Sequence, residues 1–404
     1  MLAMTTSPLR SRLTVASSGS SYQVWFPLTV YAITRLADLV LILVAARHQV
    51  DLPKGGTYGS LASNWDGQWY LSIATHGYPT TIPRGPGGSA LQNPWGFYPA
   101  YPFTVGAIMR ISGLGFTVVA PILSFVLGAG AMIVMYRLIN QGSGRFAASA
   151  TVLLTCTYMA APAMQIAYTE SLALLLVCSA LLLLRNRRYG WLVPVLVMLA
   201  LTRAIALAFV PVLVVHGISR YRRRSRESFP KPERWRVAGL TGLAIVLTGL
   251  WPAIAAITTR DPAAYTQTMS SWSTTGKLRV LIEFPAYAWT RGGAIGLAVL
   301  LAIIGLTAAL VLRSGARAWG PEVRAWAGFY PLYLLLATAA GSSNVRHLFL
   351  AFPLMWPFPE VAATTSERRF RVVLIAVLAI VGLATQWIWV SKFLAAKSPS
   401  TWYP

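Results

Sequence analysis

Runs of about 20 apolar residues recur along the chain and are separated by shorter polar segments. The clearest runs extend from about Val24 to Ala46, from Phe116 to Tyr136 and from Val372 to Val390. A helix of this length crosses the roughly 30 Å hydrocarbon core of a bilayer. The pattern therefore predicts an all-α membrane protein, a bundle of about 11 transmembrane helices. A shorter apolar run, residues 101 to 115, is either a short span or a helix lying along the membrane surface.

The polar segments divide the chain into three parts. Residues 1 to 22, rich in Ser and Thr, are predicted to be a disordered cytoplasmic N-terminus. Residues 23 to 392 are predicted to be a transmembrane domain, and residues 393 to 404 an external tail. Within the domain, we expect residues 137 to 145 to form a cytoplasmic loop and Leu348 to Pro359 to form a span. No segment between spans is long enough for a separate soluble domain of roughly 100 residues.

Two longer polar segments are predicted to be external loops, residues 47 to 100 and residues 258 to 292. In the first loop, the pattern from Trp65 to Ala74 predicts a short helix at the membrane interface, where Trp and Tyr side chains favour the headgroup level. The segment from Trp191 to Gly217 has basic flanks at both ends, so both ends should be cytoplasmic. It therefore predicts two short helices that meet at Leu201-Thr202-Arg203, an interruption that membranes tolerate beside a water-filled cavity.

Composition and charge agree with a membrane protein. Hydrophobic residues make up 56% of the 404 residues and charged residues only 11%, against about one-quarter charged in soluble domains. The net charge of +23 comes from basic residues in short loops between apolar runs. This distribution follows the positive-inside rule, places those loops in the cytoplasm of a plasma-membrane protein and favours anionic lipid headgroups over nucleic acid. The basic clusters are Arg185 to Arg188, Arg220 to Arg236, Arg313 to Arg324 and Arg368 to Arg371.

With the basic loops inside, the remaining polar clusters fall on the extracytoplasmic face. They are Asp66, Glu170, Arg203, Asp261 and the pair Arg346-His347. Randomly distributed polar residues would not be sorted in this way. A shared cavity that opens outward explains the arrangement.

Asp66 is the strongest candidate for a catalytic group, because only 11 Asp and Glu occur in the chain. A carboxylate can take the proton from an attacking hydroxyl, whereas its alternative role is to cap a helix N-terminus. Aromatic and polar side chains near it in sequence, or predicted to share its face, are expected to contact a substrate. These are Trp65, Gln68, Trp69, Tyr70, Tyr98 and Tyr168.

Cations on the same face are candidates for binding a phosphate. Arg203, inside an apolar region, needs a partner, either a ligand anion or a carboxylate such as Asp38. Arg346 with His347 is a second phosphate candidate or an ordinary pair of loop residues. Arg35 and Asp38 lie on one face of the first helix, either as a mutual ion pair or at the active site.

Two further acids have open roles. Glu170 can orient an acceptor or hydrogen-bond its loop. Asp261 precedes a proline and can serve a turn or bind substrate.

These parts suit glycosyl transfer from a lipid-phosphate sugar. The reaction needs a carboxylate base, cations that stabilise the departing phosphate and an apolar groove for the lipid. A transporter or flippase of a lipid-linked sugar also carries intramembrane charges and broken helices, and it remains the alternative. A scaffold without a site would leave the sorted polar clusters unexplained.

The residues also resemble a known family, the bacterial PIG-V-like mannosyltransferases. The similar motifs occur in family order and cover about residues 24 to 360. They are Trp65-Asp66-Gly67-Gln68-Trp69-Tyr70, His76-Gly77-Tyr78, Phe97-Tyr98-Pro99-Ala100-Tyr101-Pro102, Ala167-Tyr168-Thr169-Glu170-Ser171-Leu172, Leu201-Thr202-Arg203, and Arg346-His347 followed by Pro353.

The resemblance implies the GT-C glycosyltransferase fold and inverting transfer of mannose from a polyprenyl- or dolichyl-phosphate donor, with Asp66 as the base. The family's eukaryotic relatives, the GPI mannosyltransferase 2 enzymes, add the second mannose of the GPI anchor. The compact chain with basic loops favours a bacterial glycolipid, cell-wall glycan or secreted protein as acceptor. Because Asp66 has no acidic neighbour, neither a divalent metal nor another cofactor is expected. The expected partners are the lipid-linked donor, the acceptor and membrane lipids.

Overall fold

The computed structural model describes residues 9–48, 56–272, 281–358 and 364–395. Within these ranges the regular secondary structure is helical, and the β-type pairing is an isolated bridge between Arg84 and Ala90. The all-α prediction is confirmed.

Fifteen α-helices follow one another along the described chain. Their bounds are α1 Leu9–Arg47, α2 Tyr58–Ala62, α3 Asp66–His76, α4 Ala100–Ser112, α5 Phe116–Cys156, α6 Glu170–Arg185, α7 Tyr189–Ala200, α8 Ala206–Arg222, α9 Lys231–Thr248, α10 Leu250–Thr259, α11 Ala264–Ser271, α12 Glu283–Leu312, α13 Gly320–Ala337, α14 Asn344–His347 and α15 Thr365–Trp389. Short 3-10 helices lie at Pro94–Gly96, Ala161–Gln165, Ser314–Trp319 and Leu348–Leu354, and a π-helical turn at Val390–Leu394 follows α15.

In the described part of the chain, five helical stretches are long and apolar enough to cross a membrane. They are Ser21–Arg47, Phe116–Cys156, Lys231–Thr259, Glu283–Leu312 and Thr365–Leu394. Other apolar helices are shorter; α7 has 12 residues and is about 18 Å long at 1.5 Å per residue. The structure thus supports a membrane protein, whereas the predicted total of about 11 spans depends on these shorter helices and stays a prediction.

The centre of the bundle is built by α5, α6 and α1. Met132, Met135 and Tyr136 of α5 are fully buried beside Leu181 of α6. Because α5 runs through residues 137 to 145, the predicted loop there is instead a kinked helix. The kink lies at Gly144, whose φ of 83° is a left-handed conformation that glycine adopts without a Cβ clash.

Two other segments differ from the prediction. The helix α1 begins at Leu9, inside the N-terminal segment predicted to be disordered. The predicted span from Leu348 is a seven-residue 3-10 helix that ends at Leu354. Pro353 lies within it, and a proline lacks the N–H that a continuing helix needs.

The predicted break in the Trp191–Gly217 segment is confirmed, since α7 ends at Ala200 and α8 begins at Ala206. Arg35 and Asp38 form a mutual ion pair of 2.7 Å whose side chains are at most 1% exposed. Arg35 also donates a hydrogen bond to the carbonyl oxygen of Cys156 at 2.7 Å. These contacts favour the structural role of this pair, which joins α1 to the end of α5.

Candidate active site

Four charged side chains from distant parts of the chain form one buried network. Arg346 donates to Asp66 Oδ2 at 2.7 Å and to Glu170 Oε1 at 2.9 Å. Arg203 donates to the same Glu170 oxygen at 2.6 Å. The structure therefore brings together four of the predicted site residues, with two positive and two negative charges.

Asp66 is the first residue of α3. The residue before it, Trp65, has a φ of 56° and lies at the N-cap position, so Asp66 itself is not the cap. The Trp65 indole N–H donates to the carbonyl oxygen of Leu394 at 3.0 Å, and Gln68 donates to Asn64 Oδ1 at 2.8 Å. These contacts fix the start of α3 and direct the carboxylate of Asp66 toward Arg346. The positive end of the helix dipole also favours a carboxylate here.

Glu170 begins α6 and is fully buried. Its Oε1 accepts from both arginines, whereas its Oε2 is buried without a hydrogen-bond partner in the described part of the chain. Arg203 lies in the break between α7 and α8 with 15% of its side chain exposed. The carboxylate that binds Arg203 is thus Glu170, not Asp38.

Arg346, in the short helix α14, is only 5% exposed along its side chain. Its guanidinium lies 4.5 Å from the centre of the Tyr168 ring, where the ring's negative face attracts a cation. The next residue, His347, has a buried Nδ1. Burial, with Arg203 and then Arg346 nearby, holds the pKa of His347 well below its usual value. A lowered pKa favours the neutral form of the imidazole, so the role of His347 toward a phosphate stays a prediction.

The accessible edge of the network consists of Asp66, 25% exposed along its side chain, and Arg203. Arg346 and Glu170 lie behind them. An approaching molecule thus meets one carboxylate and one guanidinium, each held from behind by a buried partner. This arrangement can accept a proton at one point and bind an anion at another.

An aromatic wall begins one turn after Asp66. Trp69 stacks on Phe97 with ring centres 5.8 Å apart, and both rings meet Trp272 edge-on. Tyr70 is buried, with its ring edge-on to Phe97 and its hydroxyl 3.5 Å from Thr169.

Trp69 also lines an open groove of about 900 Å³ between residues 84 to 92 and α11. Polar side chains form most of its other wall, including Arg84, Ser89, Gln92, Gln267 and Ser270. Sequence reasoning missed Arg84, which lies in a Gly/Pro-rich loop with no periodicity. It also missed Gln267 and the role of Trp272. For these three residues the sequence carries no signal beyond their position in the loops predicted to be external.

Other predicted site residues lie apart from the network. Asp261 pairs with Arg84 at 3.2 Å, and its Oδ1 accepts from the backbone N–H of Ala263 at 2.9 Å, as expected for the turn role. Tyr98 is buried, and its hydroxyl is 3.0 Å from that of Tyr265.

The side chains of the network do not resemble the ligands of a metal site. Within the described ranges, no group of three or more His, Cys, Asp or Glu side chains could hold a metal ion. The two carboxylates of the network are bound by arginines instead. That the protein needs no divalent metal stays a prediction.

The helical arrangement is similar to that of a solved archaeal membrane oligosaccharyltransferase. The oligosaccharyltransferase AglB from Archaeoglobus fulgidus, in complex with an inhibitory peptide and a dolichol-phosphate, matches with a TM-score of 0.50 at 10% identity, over 93% of this chain and 57% of AglB. The crystal structure of the A. fulgidus oligosaccharyltransferase with Zn and sulfate has a TM-score of 0.48 at 14% identity, over 93% of this chain and 53% of that one.

No protein-family model and no curated protein sequence matches the chain. The chain spans little more than half the length of the solved structures it matches. At 10% identity, the likeness to AglB shows a shared fold and leaves activity and substrate to the residues of this chain.

Proposed function

We propose that the protein is a membrane glycosyltransferase that moves a sugar, mannose, from a polyprenyl-phosphate donor to a hydroxyl of a cell-envelope acceptor on the extracytoplasmic face. The observation that carries this proposal is the partly exposed Asp66 carboxylate, held by the buried Arg346 at 2.7 Å in the same network as the guanidinium of Arg203. The GT-C fold supports the same reaction class.

Asp66 is the proposed base. Its Oδ2 accepts from Arg346, while its Oδ1 has no hydrogen bond to the described protein atoms and is free to accept a proton. As the acceptor oxygen attacks the anomeric carbon, its proton moves to Asp66. The bond between that carbon and the phosphate oxygen breaks, and the electron pair leaves with the phosphate. General-base catalysis of this kind raises the reaction rate by about 100-fold to 10,000-fold.

Arg203 is the proposed ligand of the departing phosphate. One of its terminal nitrogens is bound by Glu170, and its partly exposed guanidinium has further N–H donors. A fixed cation stabilises the charge that develops on the leaving group. Arg346 was predicted to bind the phosphate as well, but its burial between two carboxylates favours a positioning role toward Asp66.

The groove beside Trp69 is the proposed acceptor site. It is open, polar on one wall and aromatic at the end nearest Asp66, which suits a sugar that hydrogen-bonds by its hydroxyls and packs its ring on an indole. The acceptor would then present one hydroxyl toward Asp66, one helical turn away.

The direct test is sugar transfer by the purified chain in liposomes. Radiolabelled polyprenyl-phosphate-mannose is supplied together with a glycolipid fraction of the bacterial envelope. We expect the label to leave the donor and enter the acceptor fraction. Passage of intact donor across the bilayer without transfer would contradict the proposal and support the flippase alternative. A panel of other lipid-linked sugars separates the reaction class from the identity of the sugar.

The acceptor site makes a separate prediction. Replacing Trp69 with alanine removes the aromatic end of the groove and should raise the KM for the acceptor about threefold to tenfold, the equivalent of one aromatic contact. The KM for the donor should change little. Trp235→Ala, a change of the same kind at a side chain that is 78% exposed on α9, is the matched control. If both changes affected the acceptor KM equally, the groove would not be the acceptor site.

A further inference from the structure

A second groove lies at the other end of α8. It has a volume of about 590 Å³ and runs between α8, α13 and the end of α12. Apolar side chains form its walls, among them Val215, Val311, Phe329 and Leu332. Phe329 and Leu332 are 36% and 44% exposed, so the groove is open along its apolar side.

This groove is remote from the candidate active site. Arg203 precedes the first residue of α8, whereas Arg222 at the groove is its last. The 17 residues of α8 extend about 25 Å at 1.5 Å per residue, close to the thickness of the hydrocarbon core. The groove and the candidate active site therefore lie near opposite ends of α8.

Four arginines surround one end of this groove: Arg222, Arg223, Arg317 and Arg324. Arg324 is held in place, because it donates to the carbonyl oxygens of Val311 at 2.7 Å and Leu312 at 3.2 Å, at the C-terminal end of α12. The other three are exposed and form no ion pair within the described ranges.

The acids near this end are already paired with other side chains. Glu322 of α13 is buried and lies 2.7 Å from His216 Nδ1. Glu227 and Glu233 pair with Arg220, and Glu227 also pairs with Arg187. The positive charge at the mouth of the groove is therefore not balanced by these neighbouring side chains.

We propose that this groove binds one anionic phospholipid, with the phosphate among the arginines and an acyl chain along the apolar walls of α8 and α13. An apolar channel that ends in unbalanced cations complements a molecule with both a charged head and a hydrocarbon tail. Free phosphate would leave the apolar walls uncovered, and a zwitterionic lipid would bring no net charge to the arginines. Basic pockets between transmembrane helices are a known setting for anionic headgroups.

The test uses the full chain in detergent, with lipid binding followed by native mass spectrometry. Dioleoyl-phosphatidylglycerol should bind as one retained molecule, and dioleoyl-phosphatidylcholine should bind at least about tenfold more weakly. A triple variant, Arg222→Gln, Arg223→Gln and Arg317→Gln, should weaken phosphatidylglycerol binding by about 100-fold, since each cation near a headgroup contributes measurably. Glycerol phosphate, which has no acyl chain, should not displace the lipid.

The matched control removes the same charge from the same end of the molecule. It combines Arg188→Gln, Arg226→Gln and Arg236→Gln, all exposed and all outside the groove lining. Equal losses in both triple variants would mean a general surface attraction and would overturn the proposal. Equal binding of the two lipids, or displacement by glycerol phosphate, would overturn it as well.

Discussion

The Asp66→Asn variant is expected to lose sugar transfer, with a rate at least about 100-fold below that of the unmodified chain. Asparagine has nearly the same shape as aspartate and still offers an oxygen to Arg346, but it cannot take a proton from an acceptor hydroxyl. The rest of the network, Glu170 with both arginines, stays in place. The loss should therefore appear in kcat, with expression and the unfolding temperature close to those of the unmodified chain.

Glu227→Gln is the matched control for this change. Glu227 is also a carboxylate bound by arginine, but it is 43% exposed and lies in the basic segment after α8. Its replacement should leave transfer within about twofold, because a surface ion pair contributes about 1 kcal/mol or less. If Asp66→Asn kept full activity, the base would lie elsewhere, with Glu170 and Asp261 the next carboxylates to change.

Replacing Glu170 with alanine is expected to lower the free energy of unfolding by about 3–5 kcal/mol, the usual cost of removing one partner from a buried ion pair. Glu170 is fully buried and accepts from Arg203 and Arg346 through the same oxygen. Without it, Arg346 keeps only Asp66, and Arg203 keeps no carboxylate of the network. Thermal unfolding of the purified chain in detergent measures the change.

The double variant Glu170→Ala, Arg203→Ala tests the cause of that loss. Removing the orphaned guanidinium should recover part of the stability, as expected for two residues in direct contact. Arg187→Ala, which breaks an exposed pair with Glu227, should cost about 1 kcal/mol or less. A Glu170→Ala protein as stable as the Arg187→Ala control would show that the network contributes little to the fold.

Much of the local structure could be predicted from the sequence, because local patterns determine it. The aromatic pattern from Trp65 to Ala74 predicts the helix observed as α3, Asp66–His76. The arginine within the long apolar segment after Trp191 marks the break between α7 and α8. The distribution of basic loops predicts one face for Asp66, Glu170, Arg203 and Arg346.

The pairings within that group could not be predicted. Asp38 was one candidate partner for Arg203, but it forms the ion pair with Arg35 that was the other alternative. Hydropathy shows how apolar a segment is but not which distant side chain it contacts. The hydropathy pattern therefore cannot tell whether Glu170 or Asp38 is the partner of Arg203. For the same reason Asp261 was grouped with the site, although it pairs with Arg84, a residue of the other predicted external loop.

The spacing of the network along the chain also affects how the protein is made. Arg346 follows Asp66 by 280 residues, which a ribosome adding about 5–20 residues per second needs roughly 15–60 s to synthesise. During that interval the nascent chain already contains Asp66 but not the cation that holds it. A chain truncated before α14 would insert most of its helices and still lack a positioned carboxylate. The candidate active site is therefore completed only after most of the chain has been synthesised.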